Sequence, residues 1–222
     1  LNSSSSQPGL FITVEGVEGA GKSTQLALIL KYLKSLDIEV ISTREPGGTP
    51  FAESVRELLL ANREEKVDQI TEMLLMFAAR SQHLSGLIKP ALAEGKWVVC
   101  DRFTDATYAY QGGGRNLGFD LVAQLEQLVQ SDFRPDRTFY LDLPVELGMQ
   151  RVVARGEKDR FEREQIEFFE RVRAAYLRLV DANPERYIVI DASQPLESVQ
   201  KDLEMALDDL VQAVSKKRGE GA

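Results

Sequence analysis

The sequence predicts a doubly wound α/β domain, a parallel sheet with helices on both faces. Short β-branched and aromatic runs alternate with long amphipathic stretches along the 222 residues. The runs carry almost no polar alternation, as befits strands covered on both sides. A glycine-rich turn joins the first run directly to a helical pattern. In chain order, "LFITVE" (10–15) is the first strand and runs into a helix over 22–36. "EVIST" (39–43) is the second, followed by helices over 50–61 and 68–94. "WVVCD" (97–101) leads to a helix over 117–131, and "TFYLDL" (138–143) to helices over 144–154 and 161–182. "RYIVID" (186–191) precedes a last helix over 196–215. Crossovers in such a sheet are right-handed, and ligands gather at the carboxyl ends of the strands.

The length suits one domain, expected over 10–216. The stretch "LNSSSSQPGL" has neither a basic start nor an apolar centre. Residues 1–9 are therefore set aside as a disordered leader, and 217–222 as a flexible tail. No run approaches the roughly 20 apolar residues that span a bilayer. A formal charge of −8, from 27 basic and 35 acidic residues, argues against nucleic-acid polymers and anionic membranes as partners. The single cysteine, Cys100, is expected to be buried strand filler, which favours a reducing compartment and hence the cytoplasm. The single histidine, His83, can form neither a metal cluster nor a triad and is assigned to surface or interface packing. Trp97 is assigned to the core.

"EGVEGAGKST" (15–24) contains Gly16-x-x-x-x-Gly21-Lys22-Ser23, the full Walker A pattern in its proper strand-to-helix setting. The backbone of Gly16, Val17, Glu18, Gly19, Ala20 and Gly21, continuing to Lys22, Ser23 and Thr24, is expected to wrap the phosphates of ATP. Lys22 reaches the β- and γ-phosphates, and the Ser23 hydroxyl takes a position on Mg²⁺. The architecture becomes a three-layer sandwich of P-loop NTPase type with a five-stranded parallel sheet. Asp101, ending the third strand, is a candidate Walker B carboxylate for the same Mg²⁺, although Asp-Arg after a strand reads equally as a loop cap. Arg44 and Arg102 follow the second and third strands, at carboxyl ends expected to flank the grip, and two converging guanidiniums suit a second phosphate. A kinase with a phosphorylated acceptor needs such a site; a GTPase or motor does not. The segment "QRVVARGEKDRFER" (150–163) carries five basic residues between two helices, with Gly156 as hinge. Such a loop is commonly just solvated, but beside a Walker loop it suits a lid.

"EGVEGAGKST", "TREPGGTP", "FAAR", "DRFTDATYAYQGGGR", "ARGEKDRFE" and "IDASQPLESV", in this order, resemble the thymidylate kinases, which convert dTMP to dTDP for dTTP synthesis. The resemblance implies a homodimer. It also implies that Arg44 and Arg102 bind the dTMP phosphate, Arg80 donates to thymine O4, and Thr107 and Gln111 meet the base. Glu18 would accept from the sugar 3′-hydroxyl, Tyr110 would exclude a ribose, and Pro46 would lie near the thymine methyl. The aromatic that usually covers the base is replaced by Met76, with Phe77 one residue later, and either can face Arg80. One subtype places an arginine where this chain has Gly19; the other uses lid arginines, which assigns catalysis to Arg155 with Arg151 and Arg160. Asp159 and Glu162 would fix the lid against the acceptor, and Ala192 and Gln194 would border the adenine. The rival readings are a deoxynucleoside kinase acting on a 5′-hydroxyl, a nucleotide-switch ATPase and a P-loop ligase.

Overall fold

In the computed structural model, residues 8–155, 160–162 and 164–219 are described. Five parallel strands, β1 (Phe11–Gly16), β2 (Val40–Arg44), β3 (Trp97–Asp101), β4 (Arg137–Asp142) and β5 (Tyr187–Asp191), form one sheet in the order β2-β3-β1-β4-β5. Central β1 is buried along its whole length, whereas edge strands β2 and β5 alternate between buried and partly exposed positions. That difference follows from two covered faces at the centre and an unpaired edge at the rim.

Helices α1 (Lys22–Ser35), α2 (Pro50–Leu60), α3 (Gln69–His83), α4 (Lys89–Ala93), α5 (Thr104–Thr107), α6 (Phe119–Gln130), α7 (Val145–Arg155), α8 (Ile166–Ala182) and α9 (Leu196–Gly219) surround the sheet. Local chemistry sets several starts. Thr49 caps α2 by accepting from Ala52 N, with Pro50 at the first turn, and Asp68 caps α3 through Ile70 N and Thr71 N. The α1 start differs: Gly21 sits in the left-handed region (φ 85°) with no side-chain cap, leaving the helix N-terminus to meet an anion.

The sheet separates two apolar layers. Ile12, Val14, Phe139 and Leu141 belong to the larger layer, with Val172 and Tyr176 of α8 and Leu203 and Leu207 of α9. Phe11, Val98, Cys100 and Phe103 belong to the other, with Leu84, Ile88 and Leu92. Cys100 is buried and Trp97 is in the core. The long helix expected over 68–94 is broken by a π turn at Leu84–Ile88. Pro90 has no N–H to offer the carbonyl four residues back, and the wider turn absorbs that mismatch before α4. A further departure is α5 with the π turn Tyr108–Gly114, a segment that sequence patterning does not mark as helical. The helix expected from Phe161 starts at Ile166 instead. Among the described residues, no helix is long and apolar enough to cross a membrane.

Candidate active site

A cavity of about 570 Å³ opens beyond the carboxyl ends of β1, β2 and β3. Its donor side is the Walker loop, represented by Glu18, Gly19, Gly21, Lys22, Ser23 and Thr24. Lys22 Nζ folds over that loop, donating to Gly16 O (3.1 Å) and Val17 O (3.0 Å). These carbonyl bonds hold the ammonium where phosphate would replace them. Burial, and then the neighbouring Arg102 charge, lower the Lys22 pKa, while Glu18, Asp101 and Glu15 oppose the shift. Gly16, Val17 and Ala20 contribute to the same turn between β1 and α1.

Asp101 lines the cavity, and its Oδ1 is buried without a hydrogen-bond partner. An orphaned carboxylate oxygen facing Ser23 and the phosphate grip suits a hydrated divalent cation. No cluster of three or more ligating side chains occurs among the described residues. That fits Mg²⁺ shared between a carboxylate, a hydroxyl and substrate phosphates, and not an all-protein cage.

The acceptor side is more elaborate. Arg102 adopts a left-handed backbone (φ 67°), which costs on the order of 1 kcal/mol for a side chain with a Cβ. That turn at the end of β3 sends its guanidinium back under the Walker loop. Nη2 donates to Glu18 Oε1 (2.5 Å) and Tyr110 Oη (2.9 Å), and Nη1 to Tyr176 Oη (3.3 Å). Burial pushes the Tyr110 hydroxyl well up, with Glu18 adding to the effect, so it remains a donor, bonded to Glu18 at 3.0 Å. Arg80 lies 2% exposed at the far end, beside Thr107, Gln111, Met76 and Pro46.

Several expectations need correction. The β2–β3 register pairs Arg44 with Asp101, so Arg44 and Arg102 do end neighbouring strands. Arg102 lines the cavity and Arg44 does not, however. Glu53 on α2 captures Arg44 at 2.8 Å, and Arg44 stays 53% exposed, off the cavity wall. Arg56 lines the cavity instead and donates to Pro46 O (2.9 Å). Burial, and then the Arg44 charge, lower the Arg56 pKa. No motif in the sequence marks Arg56. Its signal is the i,i+3 spacing from Glu53, which puts both over the "REPGG" loop.

Met76, not Phe77, reaches the cavity. Phe77 is 2% exposed in a cluster with Met73 and Val122, and its ring supports the Arg80 guanidinium at 4.8 Å. Met76 and Arg80 share a face because they stand four residues apart, while Phe77 is rotated away. Arg160 is also off the wall. It pairs with buried Glu72 (2.7 Å) and donates to Leu59 O (2.8 Å), so its charge is already engaged away from the phosphates. Arg151 lines the cavity and bridges Gly19 O and Ala192 O, joining the donor loop to the turn after β5. Gln194 is instead drawn to Asp202 (3.3 Å), because both lie at the start of α9 and its approach. Glu162 lines the cavity. The side chain of Arg155, together with Gly156, Asp159 and both chain ends, lies outside the described residues.

His83 is the largest departure. It is fully buried, with Nδ1 3.0 Å from Glu45 Oε1 and Nε2 2.7 Å from Thr43 Oγ1, so it is neither surface nor interface packing. Polar partners 38 and 40 residues away leave no local mark in a sequence.

Comparison with known proteins places these features in context. A family model described as thymidylate kinase matches residues 14–203. A thymidylate kinase of Teredinibacter turnerae is 58% identical over 200 residues, covering 90% of this chain and 98% of its own. One from Pseudomonas putida strain GB-1 is 56% identical over 204 residues, covering 92% and 97%. One from Pseudomonas savastanoi pv. phaseolicola is 55% identical over the same length and coverage. A strand-to-helix phosphate grip facing a pocket of arginines, with identity above half across nearly the whole fold, has one reading: the chain belongs to the thymidylate kinase family.

Proposed function

We propose that this chain phosphorylates dTMP to dTDP by direct transfer from ATP between two anion pockets of the single cavity. The observation that carries the reading is the lining of one cavity by Lys22, Arg102, Arg56 and an Arg80 whose buried Nη1 has no partner. The acceptor is already an anion, so no general base is needed. An acceptor phosphate oxygen bonds to the γ-phosphorus as the bond to the β–γ bridging oxygen breaks, releasing ADP. Positioning and charge neutralisation then supply most of the acceleration.

Lys22 and the Walker backbone hold the donor phosphates, and Ser23 and Asp101 would hold Mg²⁺. Bound there, the cation would neutralise charge on the β- and γ-oxygens. Arg102 and Arg56 orient the acceptor phosphate, and Glu18 exchanges its bond to Arg102 for one from the sugar 3′-hydroxyl. Tyr110 occupies the space of a ribose 2′-hydroxyl. Arg80, Thr107 and Gln111 read the base while Met76 and Phe103 cover it. Arg155 and Arg151 stabilise charge on the transferring group, and Glu162 helps close the site; the bond of Arg160 to Glu72 argues against a catalytic part for it.

A homodimer is supported by exposed Leu58, Ile70, Leu74 and Leu128 on α2, α3 and α6, an apolar patch on adjacent helices. A reducing, cytoplasmic setting is supported by the lone buried thiol of Cys100. ADP release is measured with ATP, Mg²⁺ and, in turn, dTMP, dUMP, dCMP, ribosyl-TMP or thymidine. Strong preference for dTMP, weaker use of dUMP and almost none of thymidine is expected. Equal release without acceptor would point to a nucleotide switch, and preference for thymidine to a deoxynucleoside kinase.

A further inference from the structure

We propose that His83 is a positioning residue for Arg80, and through it a determinant of base discrimination. The inference rests on the reading of Arg80 as the group that meets the base. Arg80 has five N–H donors in a rigid plane. Nε donates to Glu45 Oε2 (2.7 Å) and Nη2 to Thr107 Oγ1 (2.9 Å), and the guanidinium packs over the rings of Phe77 (4.8 Å) and Phe103 (5.2 Å). Nη1 is buried with no partner, on a side chain that lines the cavity. A buried donor left unpaired is costly unless a ligand supplies an acceptor. Thymine presents O4 there; cytosine presents an amino donor, which would face N–H against N–H.

The discrimination is only as sharp as the plane of the guanidinium is fixed. Glu45 fixes it at Nε, but a carboxylate held by one oxygen can rotate about its last bond. The second oxygen, Oε1, is held by His83 Nδ1 at 3.0 Å. A carboxylate oxygen accepts, so Nδ1 carries a proton, and Nε2 is hydrogen-bonded to Thr43 Oγ1 at 2.7 Å. His83 thereby ties α3 to the end of β2. The loop backbone rests on the ring as well: a Cβ at Gly48 (φ 87°) would lie 2.3 Å from Nε2. Arg80 and His83 stand one turn apart on α3, so a single helix face presents both the reader and its brace.

The test compares His83→Asn, which keeps a donor at the Nδ1 position, with His83→Gln, which keeps a group only at the Nε2 position, and His83→Phe, which keeps neither. Arg80→Ala is the reference. ADP release is measured with dTMP and dCMP at saturating ATP, alongside thermal unfolding. His83→Phe and His83→Gln are expected to raise the dTMP KM and to lower the dTMP-to-dCMP ratio of kcat/KM by about tenfold, the scale of one charge-assisted hydrogen bond. The KM for ATP stays unchanged, and His83→Asn restores the ratio. Should His83→Asn and His83→Gln behave alike, or should all variants lose kcat and thermal stability together with the ratio intact, His83 merely packs and the proposal fails. If Arg80→Ala collapses the ratio while His83→Phe does not, Arg80 reads the base unaided. If Arg80→Ala also leaves the ratio intact, the base-reading assignment itself falls.

Discussion

Replacing Glu15 with glutamine should flatten the dependence of stability on pH. Glu15 lies fully buried beneath the acceptor pocket, accepting from Phe103 N (2.7 Å) and Tyr176 Oη (2.7 Å). Burial, and then the charge of Asp105, push its pKa from 4.5 up to about 8, against the pull of Arg102, Tyr176 and Phe103 N. Between those limits the folded chain keeps a proton that the unfolded chain gives up. Stability therefore falls as pH rises through this window, by at most about 1.4 kcal/mol per pH unit and a few kcal/mol in all. Glutamine has nearly the same shape and no proton to lose. Urea unfolding of both proteins from about pH 5 to about pH 9 measures the difference curve, in which other titrating groups cancel. The wild type should lose its standing against the variant steadily up to about pH 8 and then level off. Parallel curves would mean that Glu15 is ionised throughout in the folded state, and the account of the buried network would be wrong. The result also bears on function, because a protonated Glu15 leaves the Arg102 charge unneutralised from below.

Three further outcomes follow from the acceptor pocket and the lid, each read from steady-state ADP release. Arg102→Ala should raise the dTMP KM by about 10- to 100-fold with the ATP KM little changed, since it removes charge-assisted bonds to the acceptor alone. Arg56→Ala should raise the dTMP KM by about tenfold, whereas Arg44→Ala, losing only an exposed pair with Glu53, should change it less than about threefold; the reverse order would restore Arg44 to the site. Arg155→Ala should lower kcat by about 10³-fold, the scale of an arginine on a transferring phosphoryl group in GTPases, with dTMP affinity little altered; loss of dTMP binding instead would reassign it.

The fold was legible because its signals are local. Uninterrupted apolar runs marked all five strands to within a residue or so, and the Walker spacing marked the strand-to-helix turn between β1 and α1. Residues whose roles depend on backbone position, such as Lys22 and Asp101, could be placed on that frame. The failures share another cause. Where a guanidinium points depends on which carboxylate reaches it first: Glu53 reaches Arg44 from the next helix, and Glu72 reaches Arg160 from a helix distant in sequence. The pairing of His83 with Glu45 spans 38 residues. Periodicity cannot show such contacts, and it cannot show that Arg102 adopts a left-handed turn.

Those pairings explain how a chain of net charge −8 receives two polyanions. Arg102 is bonded to Glu18 and Arg80 to Glu45 on the cavity wall, and Arg44 to Glu53 and Arg115 to Glu72 off it, so these four arginines are neutralised before any nucleotide arrives. Arg56 and Arg151 differ: their described hydrogen bonds go to carbonyl oxygens, at Pro46 on the acceptor side and at Gly19 and Ala192 on the donor side. A carbonyl is a weaker partner than a carboxylate and is given up more cheaply to phosphate. Lys22, bonded to the carbonyls of Gly16 and Val17, joins Arg151 on the donor side, so each pocket keeps a readily released cation, and the paired arginines supply geometry. Glu18 is the exception that links the two sides, since it lies within the Walker loop yet holds Arg102. In the proposed mechanism, Glu18 turning to the acceptor sugar would free Arg102 for the acceptor phosphate, and an acceptor lacking either group could not complete the exchange. Selection against thymidine would then arise from the same carboxylate that orients dTMP, without a dedicated gate.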